Sequence, residues 1–364
     1  MTRRSLLQIA LPALGVAALL SGCTSTPAAT TTTPRSSTPA PTSATPAGAG
    51  DITTGLALPW SIVFIGDTAL VNERDTGRIL EVNATGSTRE VGVLPGVVPG
   101  GEAGLLGLAV DAEDRLYAYS TGEDGNRIQR IGLTGEPGSY GLGDVATIFD
   151  GIPSGRYHNG GRIGFGPDGM LYAGVGDAGA RERAQDLDSL NGKILRLTPD
   201  GDIPSDNPFP DSPVFSYGHR NVQGLAWAAD GTMFASEFGQ DTWDELNIIE
   251  AGGNYGWPGV EGVGDESDGY TDPVQQWTPA EASPSGIAIA GDTVYIANLR
   301  GETLRAVPVA DPSARTDYLV GEYGRLRTVS VAPDGRLWLL TNNTNGRVDP
   351  RPGDDRIVSI EVPG

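Results

Sequence analysis

The chain has 364 residues, a formal net charge of −21, two histidines and one cysteine. So acidic a chain is unsuited to nucleic acid and to electrostatic docking on anionic lipid. One cysteine excludes an internal disulfide. Thr2-Arg3-Arg4 followed by the apolar run Leu6 to Leu20, broken by Gln8, Pro12 and Gly15, predicts a signal peptide over residues 1–22. The run is too short and too interrupted for a stable membrane span. It ends in Leu20-Ser21-Gly22-Cys23, which has the form of a lipoprotein processing site. Cys23 is therefore expected to carry lipid through a thioether, and several acyl chains at about 0.8 kcal/mol per buried methylene would hold the exported protein on the outer side of the cytoplasmic membrane. Contact with the membrane is expected only through that anchor. Arg3-Arg4-Ser5-Leu6-Leu7 also resembles a twin-arginine signal, so two export routes stay open. Thr24 to Gly50 is almost entirely Thr, Ser, Pro, Ala and Gly, and nothing there can build a core. Residues 23–50 are read as a lipidated, disordered tether, and residues 51–364 as the folded domain.

A turn followed by an alternating strand recurs six times in that domain. The copies begin at Ile65-Gly66-Asp67, Ala112-Glu113-Asp114, Pro167-Asp168-Gly169, Ala229-Asp230-Gly231, Ala290-Gly291-Asp292 and Pro333-Asp334-Gly335. Asp and Gly tolerate the backbone angles of a tight turn, and the strands that follow have period two. An apolar strand precedes each copy, such as Gly104 to Val110, and a third strand follows most, such as Lys193 to Leu197. The spacing matches one four-stranded blade per repeat, which predicts an all-β, six-bladed β-propeller of antiparallel blades. The last repeat ends at its third strand near Val362, so Asp51 to Leu58 is expected to supply the missing outer strand.

With strands A to D counted outward from the axis, D–A and B–C connections share one face and the Asp/Gly turns occupy the other. A ligand site should therefore use residues just before A strands and just after B strands. Both histidines fall there, in Tyr157-His158-Asn159-Gly160-Gly161-Arg162 and Ser216-Tyr217-Gly218-His219-Arg220-Asn221-Val222-Gln223. Gly176-Asp177, Ser236-Glu237-Phe238-Gly239-Gln240 and Asn298-Leu299-Arg300-Gly301 follow B strands, and Arg325 and Arg327 flank the start of the last A strand. Lys193 is the sole lysine among 25 basic residues, so an anion bound by this chain would meet planar guanidinium forks. Two readings stay open from the residues alone: an anion-binding catalytic site, and a solvated face held by arginine–carboxylate pairs.

The strings His158 to Arg162, Gly166-Pro167-Asp168-Gly169, Gly176-Asp177, Tyr217 to Gly224, Trp243-Asp244-Glu245-Leu246-Asn247 and Gly252-Gly253-Asn254-Tyr255-Gly256-Trp257-Pro258 resemble the soluble glucose and aldose sugar dehydrogenases that use pyrroloquinoline quinone (PQQ). The similarity runs from Gly104-Leu105-Leu106-Gly107 to the region of Arg325. It implies oxidation of an aldose at the anomeric carbon to a lactone, with hydride passing to PQQ and electrons then to an external acceptor. It implies His158 as general base, a role suited to imidazole, with Asp177 orienting it and Arg220 stabilising charge on the quinone oxygen. Asn221, Arg300, Arg325, Arg327 and the position of Glu102 correspond to cofactor contacts. The carbonyls of Gly239 and Gln240 correspond to ligands of a cofactor-bridging calcium ion, and Glu245, the carbonyl of Tyr255 and Asp265 to a second, structural calcium site. Trp277 corresponds to a sugar-stacking wall.

Two departures stand out. Glu102 occupies a position where the family usually has Gln, adding negative charge beside a tricarboxylate, and Arg300 replaces a Lys of the glucose-specific members. The chain also lacks their long insertions, which favours broad aldose specificity. Glu102 keeps a second class of function open: a surface-displayed propeller that binds a sugar or a protein without turnover.

Overall fold

Strand β1 (Gly50–Thr54) belongs to the last blade, and the chain reaches the ring's first inner strand only afterwards. A computed structural model describes residues 46–83, 85–265, 267 and 269–363. The predicted signal peptide, Cys23 and most of the predicted tether lie outside the described residues. Blade one comprises β2 (Pro59–Ile65), β3 (Thr68–Glu73), β4 (Arg78–Val82) and β5 (Thr88–Val93). Blade two comprises β6 (Leu105–Val110), β7 (Leu116–Gly122), β8 (Gly125–Thr134) and β9 (Gly141–Ile152). Blade three follows as β10 (Ile163–Phe165), β11 (Leu171–Val175), β12 (Lys193–Leu197) and β13 (Val214–Tyr217). Blade four is β14 (Val222–Trp227), β15 (Met233–Glu237), β16 (Asp244–Ile249) and β17 (Gln275–Trp277). Blade five is β18 (Pro284–Ala290), β19 (Thr293–Asn298), β20 (Leu304–Pro308) and β21 (Thr316–Tyr318). Blade six is β22 (Leu326–Val331), β23 (Leu337–Thr341), β24 (Arg356–Ile360) and then β1.

All pairings within the blades are antiparallel, and the result is the six-bladed propeller that the repeat predicts. The closing strand is the expected one: Gly50 pairs with Ser359 and Thr54 with Arg356. Inner strands touch in a ring, β2 with β6, β6 with β10, onward to β22 and back to β2. The core lies between blades, because each sheet must bury both faces against its neighbours. Thus Tyr117, Tyr119, Leu171, Ala173 and Leu195 pack together between blades two and three. Second strands such as β7 and β11 are buried along their whole length, whereas β9, at the rim, is half-buried or exposed along nearly all of its length.

The Asp/Gly turns carry their own support. The Asp168 carboxylate accepts the Met170 N–H at 3.1 Å and the Tyr172 hydroxyl at 3.0 Å. Gly169 takes a φ of 75°, the left-handed region in which a Cβ is disfavoured. The second repeat places Asp114 there instead, at φ 60°. Among the described residues the one helical element is a short 3-10 turn, Arg181–Gln185, and no helix is long and apolar enough to cross a membrane.

Candidate active site

One mouth of the ring holds a cavity of about 310 Å³, lined by residues of eight connections. Glu102 precedes β6, Tyr157 and His158 precede β10, Arg220 precedes β14, and Pro279 and Ser283 precede β18. Phe238, Gly239 and Gln240 follow β15, Leu299 and Arg300 follow β19, and Arg347 follows β23. Arg325 and Arg327 sit at the start of β22. The positions match the topological expectation: before A strands and after B strands.

His158 is held on three sides. Its Nδ1 lies 2.7 Å from the Asp177 carboxylate, and its backbone N–H donates to Glu102 Oε2 at 2.9 Å. Its φ is 58°, a conformation that needs such outside support. A Cβ on Gly176 would come within 1.9 Å of the His158 carbonyl oxygen, so that strand end can approach the histidine only as glycine. Asp177 is nearly buried, and its second oxygen accepts the Trp257 indole N–H at 2.9 Å. Burial alone would raise the Asp177 carboxyl, but the hydrogen bonds from His158, the Gly179 N–H and Trp257 together hold it below the usual carboxylate range. With Nδ1 occupied, Nε2 is the ring nitrogen left for chemistry at the cavity.

The arginines form the opposite electrostatic half. Among the described residues Arg220, Arg300, Arg325 and Arg327 have no carboxylate partner within ion-pair distance; only Arg347 does, at 3.4 Å from Glu102. Arg327 is buried and held by neutral oxygens of Gln223 at 2.9 Å and Ser285 at 3.3 Å. Burial, then the neighbouring Arg325 and Arg74, push its guanidinium well below its ordinary value. Burial and Arg347 likewise bring Arg325 down to about 10. Arg220 donates to the carbonyls of Phe238, at 3.1 Å, and Gly239, and lies over the Trp257 ring. The Nε atoms of Arg220, Arg325 and Arg327, and Nδ2 of the buried Asn221, are buried without a partner. Buried donors in such number call for an acidic ligand.

His219 stands in the same kind of motif but does something else. It is fully buried, with Ser216 Oγ 2.8 Å from Nε2 and Glu237 Oε2 3.0 Å from Nδ1, and its ring stacks on Tyr255 at 4.6 Å. Burial lowers it to about 3, so it is neutral and structural. Burial and the nearby Glu237 carry Glu245 up to about 8.

The residues expected for the second calcium site belong to β16 and the loop that follows it. Glu245 is buried and accepts from the Gly262 N–H at 2.7 Å, while Asp265 is exposed and faces the Ser267 N–H at 3.4 Å. The Tyr255 hydroxyl donates to the Ile248 carbonyl at 2.7 Å. Among the described residues no group of three His, Cys, Asp or Glu side chains is placed to hold a metal. The reading of Trp277 as a sugar-stacking wall is corrected. It is 1% exposed on β17, the outermost strand of its blade, with the Arg305 guanidinium 4.7 Å above its ring. Its side chain packs into the seam between blades four and five and does not line the cavity.

Three cavity residues were missed in the sequence: Pro279, Ser283 and Arg347. Arg347 follows a B strand, so the topological rule already pointed to its loop.

Known proteins resemble this arrangement closely. The PQQ-bound aldose sugar dehydrogenase of Streptomyces coelicolor superimposes with a TM-score of 0.82 at 51% identity, over 87% of this chain and 99% of that one. An aldose sugar dehydrogenase of Escherichia coli K12 is 32% identical over 342 residues, 80% of this chain and 90% of the relative. The quinoprotein glucose dehydrogenase B of Acinetobacter calcoaceticus is 34% identical over 257 residues, 60% of this chain and 54% of that enzyme. The sequence pattern of the Glucose / Sorbosone dehydrogenases matches residues 56–349, nearly all of the propeller, and the chain belongs to that family.

Proposed function

We propose that this protein is a PQQ-dependent aldose dehydrogenase that oxidises its sugar at the anomeric carbon to the lactone. The observation that carries the reading is the meeting, in one cavity, of the His158–Asp177 pair with four arginines that have no carboxylate of their own. PQQ carries three carboxylates, and the partnerless donors of Arg220, Asn221, Arg325 and Arg327 are the chemistry such a ligand requires. Arg300 at the rim adds a further cation. When bound, PQQ supplies the two-electron acceptor for hydride from the anomeric carbon.

The protein's own contribution is proton handling and charge. With Nδ1–H donated to Asp177, His158 presents the lone pair of Nε2 and takes the anomeric hydroxyl proton. Asp177, held ionised, fixes the tautomer and steadies the imidazolium that results. Arg220 places positive charge where an oxyanion would develop. Calcium would be held by the Gly239 and Gln240 carbonyls, hard oxygen donors on the cavity wall. Glu245, Tyr255 and Asp265 are the residues for a structural ion. A broad range of aldoses, an external electron acceptor and attachment to the outer side of the cytoplasmic membrane through Cys23 complete the reading.

Reconstitution of purified apoprotein with PQQ and calcium, followed by dye reduction with several aldoses, tests it. Sugar-dependent reduction is expected. No reduction, combined with no rise in melting temperature on adding PQQ, sinks it.

A further inference from the structure

The charge at position 102 has a partner from the far end of the chain. Glu102 lies in the loop before β6, where its own N–H donates to the Arg156 carbonyl at 3.0 Å. A Cβ on Gly101 would come within 2.2 Å of that same oxygen, so the loop is packed tightly against the segment that leads to His158. One carboxylate oxygen accepts the His158 N–H at 2.9 Å, and the other meets Arg347 at 3.4 Å. A neutral amide oxygen could accept from His158 equally well. The carboxylate adds a negative charge to a cavity whose other features call for an anion.

We propose that Arg347 is a positioning residue of this site: it neutralises Glu102, so that the carboxylate can support His158 without repelling an acidic ligand. The idea rests on the anion-binding role proposed above. Its loop is built to deliver the guanidinium. The Asp355 carboxylate accepts the Thr344 hydroxyl at 2.6 Å and the Asn343 N–H, and Asn345 accepts the Arg347 N–H at 3.0 Å. Glu102 and Arg347 also act with opposite sign on the two buried guanidiniums. After burial, Arg347 depresses Arg325, whereas Glu102 supports Arg327. Losing either partner alone therefore changes the net charge that an incoming anion meets, and losing both restores it.

The full chain is tested by calorimetric titration with two probes, PQQ and citrate, the second a tricarboxylate that needs no redox chemistry. Because the pair is partly exposed, effects of about two- to fivefold are expected. Arg347→Ala weakens both anions by that factor, Arg347→Lys restores them, and Glu102→Gln tightens them. The double variant Glu102→Gln/Arg347→Ala returns to within about twofold of the wild type, and raising the salt concentration shrinks every difference. In turnover, Glu102→Ala lowers kcat through loss of the His158 support, Glu102→Gln lowers it less because its amide oxygen still accepts from His158, and Arg347→Ala acts mainly on the apparent PQQ affinity. The inference is overturned if Arg347→Ala leaves citrate affinity unchanged, or if the double variant stays as weak as Arg347→Ala. A citrate cycle that behaves as expected in a protein that ignores PQQ sinks the assigned cofactor and leaves the charge balance standing. Refusal of both anions by the wild type overturns both.

Discussion

The two faces of the propeller treat charge in opposite ways. On the face of the Asp/Gly turns, acids and bases find one another. Asp111 pairs with Arg115 at 2.5 Å and accepts the Tyr117 hydroxyl at 3.0 Å, and Asp168 pairs with Arg196 at 2.9 Å while accepting the Tyr172 hydroxyl. On the other face Arg220, Arg325 and Arg327 are buried or half-buried with neutral partners and with donor atoms left over. A fold selected only for stability would not leave guanidiniums in that condition, because an unpaired buried charge is among the costlier features a protein can carry. What marks the site is the missing carboxylate rather than the spare donor, because Arg305 of the scaffold also keeps a buried Nη1 without an acceptor yet pairs with Asp317 at 2.7 Å.

The largest expected effect breaks the reactive half of that face. His158→Ala should reduce kcat of the PQQ-loaded enzyme by about 10²- to 10⁴-fold, the usual range for a positioned base, with PQQ affinity held within a few fold. Arg327→Met probes the electrostatic half. It should weaken PQQ binding by roughly 10- to 100-fold, the worth of one or two charge-assisted hydrogen bonds, and raise the melting temperature of the apoprotein. A fall in melting temperature would show that Arg327 is scaffold after all. Arg196→Ala should do the reverse, removing about 1–3 kcal/mol of stability in urea unfolding with PQQ affinity untouched.

The smallest effect appears only in acid. The Asp177 carboxyl is held below its ordinary value in the fold, so its stabilising contribution is complete above the unfolded carboxyl pKa and fades as pH falls through the folded one. Asp177→Asn should therefore flatten the loss of wild-type stability below about pH 4; a curve parallel to wild type would refute the assignment.

Much of this was legible in the sequence, and for a definite reason. Six turns in period produce six blades, and a last repeat one strand short requires a strand from elsewhere, which Gly50–Thr54 provides. Strand order then dictates which loops share a mouth, so His158, Asp177, Arg220 and Arg300 could be placed together before any coordinates. What could not be read depends on contacts across blades. His158 and His219 sit in similar Gly-rich motifs, and only burial separates a base from a structural hydrogen bonder. Trp277 is buried in a blade seam because blade five covers it, with the Arg305 guanidinium over its ring. The partner of Glu102 lies 245 residues away, a separation at which local pattern carries no information.

The strand that completes blade six joins it to blade one by hydrogen bonds, not by continuous chain. Breathing of the ring should begin there, and backbone amides of β1 should exchange with deuterated water sooner than those of the inner strands. Arg325 and Arg327 ride on blade six, while Arg220 stands before blade four and His158 before blade three. A small anion gripped by all of them would act as a rivet across the mouth, slowing the opening of a joint on the opposite side of the sheet. Occupancy of the pocket would then be visible as protection at Gly50–Thr54, a segment no ligand touches.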